Sequence, residues 1–189
     1  NSKYKNSANA LIIDISFGNS DWDDVIKWAS IIRESKPSTD QLTRALYQMG
    51  FAHYQKDQIP EAIKALNSSG ENSISKKWET RTAYLLGECF SKNQQLEEAE
   101  EKFTIALKGM LADEAKECYY RLGVARFSLE KFDQSLSNFK SFIGTGENQN
   151  ANITDPKIRQ ATLYMGRIQY ELKQYPKAEA EFQKLVTGD

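Results

Sequence analysis

The sequence predicts an all-α protein, an α-solenoid of about five stacked helical hairpins. Three observations favour this fold. Glycines follow an apolar residue at four places, Gly50, Gly87, Gly123 and Gly166, which are 36 to 43 residues apart. A large apolar residue stands nine places after each glycine. A small residue and a second large one follow twelve and sixteen places after it. Regular intervals of this size are typical of repeat proteins, whose units bury their apolar faces by stacking on one another.

The spacing of these residues has a packing reason. A glycine in the middle of a helix costs about 1 kcal/mol relative to alanine, so four equivalent glycines predict close approach of a second helix. The small residue lets that helix cross tightly, and the large one fills the gap beside the crossing. The residues nine, twelve and sixteen places after the glycines are, respectively, Ile59, Leu96, Phe132 and Tyr175; Ala62, Ala99, Ser135 and Ala178; and Leu66, Phe103, Phe139 and Phe182.

This register divides residues 1–189, treated as a single solenoid, into five units. The predicted units cover approximately residues 8–37, 40–70, 76–110, 113–143 and 155–187. The first unit is degenerate, because no glycine stands at the matching place of its first helix. Residues 144–154 are polar and rich in glycine and asparagine, which predicts a mobile loop.

Local signals place several helix ends. Ser38 is a predicted N-cap, and Asp113 is a candidate for the same role. Pro60 and Pro176 fall in the first turn of a second helix, where the missing N–H group is harmless. Residues 1–9 are polar, and we expect them to fray.

The apolar–glycine pair, the small residue and the following aromatic resemble the tetratricopeptide repeat family over roughly residues 40–187. The usual period of that family is about 34 residues, so some helices or linkers here are expected to be longer. The resemblance implies a right-handed superhelix whose first helices line a concave groove. The sequence is also similar in style to bacterial repeat proteins of the cell envelope.

Composition excludes two classes of partner. The chain has 27% charged residues and a net charge of −1, which argues against a nucleic-acid binder, since neutralising phosphates needs a basic surplus. No run of 18 apolar residues could span a membrane. The chain begins at Asn1 without a signal peptide, so we expect a piece of a longer protein. The compartment stays open between the cell envelope or periplasm and the cytoplasm.

Residues suited to catalysis or metal binding are sparse. His53 is the only histidine, and Cys89 and Cys118 are expected to be separate free thiols. These residues assemble no convincing zinc site and no pair of nucleophile and base. The acidic run from Glu97 to Glu101 is interpreted as a solvated helix face. We therefore predict a non-enzymatic protein with no catalytic, cofactor-binding or metal-binding residues.

The resemblance implies a docking groove. In the family, the residues three before, one after and four after the glycine face the groove. Transferred to this chain, the predicted partner-binding residues are Tyr47, Phe51, Tyr54, Tyr84, Glu88, Tyr120, Val124, Phe127, Arg167 and Tyr170. Tyrosine offers a large contact area, few rotatable bonds and a hydroxyl group for the backbone of a bound chain. In the alternative interpretation, these rings only fill the inner wall of a tight superhelix.

The predicted function is a protein–protein interaction module that binds a peptide or partner protein in this groove. The sequence leaves open a small-ligand or transporter-associated binding protein, and a regulatory domain fused to an enzyme. A chaperone-tail clamp is disfavoured, because tyrosine stands where that subset of the family has lysine. Phe182 and Leu185 lie on the face of the last helix, so end-to-end self-association is a further expectation.

Overall fold

The computed structural model describes residues 2–73, 75–144, 153 and 155–187, and that part of the chain forms ten α-helices and no strand. The all-α fold of paired helices is therefore as the sequence predicts. The helices are α1 (Ser2–Gly18), α2 (Trp22–Glu34), α3 (Thr39–Gln55), α4 (Ile59–Glu71), α5 (Lys76–Lys92), α6 (Leu96–Leu107), α7 (Ala112–Ser128), α8 (Phe132–Ile143), α9 (Pro156–Glu171) and α10 (Tyr175–Thr187). They pair in order into five hairpins, each with a first and a second helix.

All five hairpins use the same turn. A non-glycine residue seven places after the glycine position adopts a left-handed conformation, with φ between 56° and 59° at Ser20, Asp57, Glu130 and Lys173 and φ of 62° at Gln94. The N–H group of the next residue donates to the carbonyl five residues before it, over 2.8 to 2.9 Å. This pairing is a Schellman motif, which satisfies carbonyl groups left over at the helix end.

The four glycines lie where the second helix comes closest. A Cβ atom added to Gly87 would stand 2.6 Å from ring carbons of Phe103, and one added to Gly50 would stand 2.6 Å from Leu66 Cγ. A Cβ atom added to Gly166 would stand closer still to the ring of Phe182. The small residues lie beside this crossing, and the predicted reason for the repeated spacing is confirmed.

Ser135 is the small residue of the fourth hairpin, and its hydroxyl group makes a hydrogen bond that alanine could not make. Ser135 Oγ donates to the Gly123 carbonyl over 2.7 Å, and both residues are buried. This hydrogen bond ties the second helix α8 to the first helix α7 at their closest approach.

In the first hairpin the large residue is on the first helix and the small residue is on the second, the reverse of the other hairpins. Its turn places Ile13 in the glycine register and Ala29 in the register of the large residue. Both are buried in one cluster with Val25 and Ile32. Helix α1 also begins earlier than the sequence predicts. Asn6 is buried and its amide nitrogen donates to the Ser35 carbonyl over 3.3 Å, so this polar segment packs instead of fraying.

Helix ends follow most of the local signals. Ser38 forms a capping box with Gln41 at the start of α3, and Pro60 and Pro176 lie in the first turns of α4 and α10. Helix α7 is an exception, because its N-cap is Leu111, so Asp113 already lies inside the helix.

The chain divides into two compact units: residues 1–109 with three hairpins, and residues 110–189 with two. In the first unit, α3 contacts both α1 and α5. In the second, α9 contacts α7 and α8 around a cluster of Tyr120, Phe139, Ala161, Met165 and Ile168. A single solenoid over residues 1–189 stays a prediction, and most of the predicted loop 144–154 lies outside the described residues.

Candidate docking surface

The predicted partner-binding residues share one side of the first helices, at the positions three before, one after and four after the glycine register. We call this side the first-helix face and describe it separately for each unit. Its residues come from α3 and α5 in the first unit and from α7 and α9 in the second.

An aromatic and cationic group occupies the start of this face in the first unit. The half-buried ring of Tyr47 on α3 lies 5.3 Å from the ring of Trp78 on α5. The exposed guanidinium group of Arg81 lies 5.7 Å from the same Trp78 ring. Burial raises the pKa of Tyr47, with Arg81 opposing the shift, so the phenol stays protonated at neutral pH and can donate a hydrogen bond. The sequence did not point to Trp78 or Arg81 as a pair.

A polar group lies further along the same face. Tyr54 donates its hydroxyl hydrogen to Glu88 Oε2 over 3.4 Å, which joins α3 to α5. Lys92 Nζ stands 4.5 Å from the Tyr54 ring and 3.1 Å from Asp57 Oδ1. The hydrogen bond to Asp57 raises the pKa of Lys92, which therefore stays charged at neutral pH. This part of the face offers an aromatic ring with both signs of charge.

Two other predicted residues of the first unit mainly pack between helices. Phe51 lies 5.0 Å from the ring of Phe17 and 5.7 Å from that of Trp22, so it joins α3 to the preceding hairpin. Tyr84 lies 5.8 Å from Phe103 within its own hairpin. Both remain half-buried and keep part of their surface on the face.

In the second unit, Tyr120 lies inside the packing. Its side chain is 6% exposed and touches the rings of Phe139 and Phe142, and its hydroxyl group donates to Gln160 Oε1 over 2.6 Å. Burial raises its pKa, and the neighbouring Tyr164 hydroxyl adds to the shift. The predicted row of docking tyrosines is therefore interrupted here, because this ring has no free face to offer a partner.

The other predicted residues of the second unit range from half-buried to exposed. Phe127 is half-buried against Tyr164, with ring centres 4.9 Å apart, and Val124 packs into the same cluster. The exposed Arg167 guanidinium lies 5.0 Å from the Phe127 ring. Tyr170 is 58% exposed and pairs with Tyr175 at 5.5 Å.

Groups suited to catalysis are packed or isolated in the structure. His53 is buried, with Nδ1 2.7 Å from Gln58 Oε1, as expected for a core histidine. Burial raises the pKa of Cys89 to about 12, with Glu88 adding to the shift, so the thiolate form is scarce at neutral pH. Within the described residues, no group of three or more His, Cys, Asp or Glu side chains could hold a metal ion. None of the described helices is long and apolar enough to cross a bilayer.

The repeated hairpin, the glycine crossing and the exposed first-helix face define a helical-repeat protein. Residues 44–72 and 160–187 match the family model of the tetratricopeptide repeat. These two segments lie in the second and fifth hairpins, and both match the tetratricopeptide repeat that the sequence predicts.

Solved structures share this fold at low sequence identity. A crystal structure of MamA is 16% identical, with a TM-score of 0.76 over 97% of this chain and 91% of that chain. MamA from Desulfovibrio magneticus RS-1 is 16% identical, with a TM-score of 0.73 over 97% and 94% of the two chains. YrrB, a tetratricopeptide repeat protein, is 16% identical, with a TM-score of 0.76 over 94% of this chain and 83% of that chain. The comparison with curated protein sequences gives no match.

Proposed function

We propose that this chain is a non-enzymatic interaction module that binds a peptide or a segment of a partner protein on its first-helix face. The observation that carries the proposal is a set of cationic groups held beside aromatic rings on that face. Arg81 with Trp78 and Lys92 with Tyr54 provide it in the first unit.

The chemistry of this surface suits a peptide. Aromatic side chains and arginine are the residue types that contribute most binding energy at protein interfaces. The half-buried rings of Tyr47 and Tyr84 are held by their neighbours, so binding would cost little side-chain entropy. The protonated hydroxyl group of Tyr47 can donate to a carbonyl oxygen of a bound backbone.

Both signs of charge are present, which favours a partner of mixed charge. Arg81 is exposed at one end of the surface, whereas Glu88 lies close to Lys92 at the other. A bound segment with an acidic residue near Arg81 and a basic residue near Glu88 would gain register from these contacts. The structural neighbour YrrB is described as having an unusual peptide-binding site, which supports the same class of function for this fold.

The second unit contributes a smaller part in this proposal. Phe127, Arg167 and Tyr170 provide an aromatic and cationic patch of their own. Val124 and Tyr120 support that patch from within the packing.

Selection of peptides from a random library displayed on phage tests the proposal directly. Tyr84→Ala and Arg81→Glu are each expected to weaken binding of the selected peptides by about tenfold or more, as for interface residues worth over 1 kcal/mol. Lys64→Glu is the matched control for Arg81→Glu, because Lys64 is exposed on the second helix α4, away from this face.

Circular dichroism would establish that each variant is folded before binding is measured by calorimetry. Equal affinity for the Arg81→Glu and Lys64→Glu variants would refute the proposed site. Failure to select any binding peptide against the wild-type chain would argue against peptide binding itself.

A further inference from the structure

Large apolar side chains are exposed on two separate faces of the chain. Apart from Leu111, every large hydrophobic residue that is exposed among the described residues belongs to α1 or to the α9–α10 hairpin. Those on α1 are Tyr4, Leu11 and Ile15, which we call the α1 stripe; those on the hairpin are Leu163, Tyr170, Tyr175 and Val186. Exposed apolar patches of this kind mark interaction sites.

The α1 stripe occupies the register that the later first helices use for stacking. Leu11 and Ile15 lie two residues before and two after the glycine register, and they are 63% and 64% exposed. The same two positions are buried in α5, as Leu85 and Cys89. In α3 the second of them is Ala52, which lies in one buried cluster with residues of α1 and α2. The α1 stripe is therefore a stacking face without a preceding hairpin on it in this structure.

The α9–α10 hairpin exposes the kind of face on which a following hairpin would stack. Phe182 has the register of Phe103 and Phe139, which are fully buried, but it remains partly exposed. Beside it lies a groove of about 530 Å³, which we call the α10 groove, lined by Tyr170, Tyr175, Ala178, Phe182 and Val186 among others. Its lining is mainly apolar, as on the faces where one hairpin receives the next.

The contact between the two hairpins of the second unit shows which side chains fit such a groove. Tyr164 of α9 lies 4.9 Å from the ring of Phe127 and stacks at 5.1 Å on Phe139 of the preceding hairpin. Leu11 has the register of Tyr164. Tyr170 and Phe182, which line the α10 groove, have the registers of the two phenylalanines.

A second contact between neighbouring hairpins, in the first unit, involves positions that are also found on the two exposed faces. Trp78, nine residues before its glycine, lies 5.3 Å from Tyr47, which stands three before the preceding glycine. Tyr4 has the register of Trp78, and Leu163 has the register of Tyr47. Tyr4 is 81% exposed, and Leu163 borders a groove of about 390 Å³. Residues with the registers of these two faces are thus in contact at two different places inside the chain.

We propose that a second copy of the chain fills the α10 groove with its α1 stripe, which continues the hairpin stacking from one molecule to the next. The interface is head-to-tail, so a dimer retains one open α1 stripe and one open α10 groove. Association of this type can continue beyond the dimer, as an open series of oligomers or as a ring where the rotation closes. The proposal shares Tyr170 with the second-unit patch but uses no residue of the first-unit site for peptides, so self-association and peptide binding at the first-unit site can fail separately.

Sedimentation velocity of the 189-residue chain over a wide concentration series tests the inference. The wild-type chain is expected to show dimers, trimers and larger species as the concentration rises. The α1 variant Leu11→Glu/Ile15→Glu and the groove variant Tyr175→Glu/Val186→Glu are each expected to remain monomeric. Leu111→Glu is the matched control, because Leu111 is 74% exposed outside both faces, and it should associate like the wild type.

Mixing the two variants gives the sharpest result. The α1 variant retains an intact groove and the groove variant retains an intact stripe, so the mixture should form dimers and nothing larger. A wild-type series that stops at the dimer would indicate a symmetric interface and overturn the proposal. Association of the α1 variant alone, or a wild-type chain that stays monomeric throughout, would overturn it as well.

Discussion

Replacement of Gly87 by alanine tests the packing principle of the hairpin. A Cβ atom at Gly87 would stand 2.6 Å from two ring carbons of Phe103, whereas ordinary contacts lie near 3.4 to 4 Å. Phe103 is fully buried and touches Tyr84, so its ring has little room to move. Overpacking of this kind costs about 1–3 kcal/mol, and the higher helix propensity of alanine returns about 1 kcal/mol. We expect Gly87→Ala to lower the free energy of unfolding by up to about 2 kcal/mol.

Gly70→Ala is the matched control. A Cβ atom at Gly70 would meet only Thr82 Cγ2 at 3.8 Å, an ordinary contact, and Gly70 lies near the end of α4. This change is expected to stabilise the protein by up to about 1 kcal/mol. Urea unfolding followed by circular dichroism would measure both variants, and hydrogen exchange of α5 and α6 would locate the effect of Gly87→Ala.

A double-mutant cycle with Phe103→Ala separates crowding from other causes. Once the ring is removed, Gly87→Ala should no longer cost stability and should become mildly favourable. The expected coupling between the two changes is about 1–3 kcal/mol, the size of the crowding itself. Additive effects in the cycle, or a Gly87→Ala variant more stable than the wild type, would refute the packing explanation.

Three further outcomes follow from the turns, the thiol and the buried phenol. Gln94→Gly should raise the free energy of unfolding by about 1 kcal/mol, because glycine adopts the left-handed φ of 62° without the strain that glutamine bears there. The neighbouring Gln95→Gly is the control and should not raise it, because φ is −92° at Gln95. The pKa of Cys89 is raised to about 12 from 9.0, so its contribution to stability is complete below pH 9 and is lost as the pH rises towards 12. The free energy of unfolding, measured between pH 9 and pH 12, should decline less steeply in Cys89→Ala than in the wild type. Identical pH profiles of the two proteins would contradict this prediction. Tyr120→Phe should cost about 0.5–1 kcal/mol in urea unfolding, through loss of the hydrogen bond to Gln160; an unchanged midpoint would show that this bond contributes nothing.

The sequence predicts the hairpins because their packing depends on pairs of sizes at fixed intervals. Gly87 and Phe103 form such a pair, and their contact follows from the register alone. The turns are harder to predict. Gln94 adopts a left-handed conformation without the glycine that usually signals it, so only the tertiary packing of the two helices imposes that geometry.

The candidate site was predicted less completely, because the register gives the direction of a side chain but not its neighbours. Tyr120 faces the predicted side, yet helix α9 and Gln160 cover it. Trp78 was missed for the converse reason, since its contact with Tyr47 arises only when α5 packs beside α3. Burial of Asn6 was hidden by its polarity, which is offset by pairing with a backbone carbonyl.

The exchanged pair in the first hairpin affects which helices are compatible with one another. Ile13 has its bulk on the first helix, so a second helix carrying Leu66 in the register of Ala29 would collide with it. Conversely, Ala29 opposite Gly50 would leave a void. Helix α2 is therefore a poor substitute for α4, although both fit the same repeat. In a chain of similar hairpins, this mismatch disfavours the pairing of a first helix with the wrong second helix during folding. It keeps α1 paired with α2.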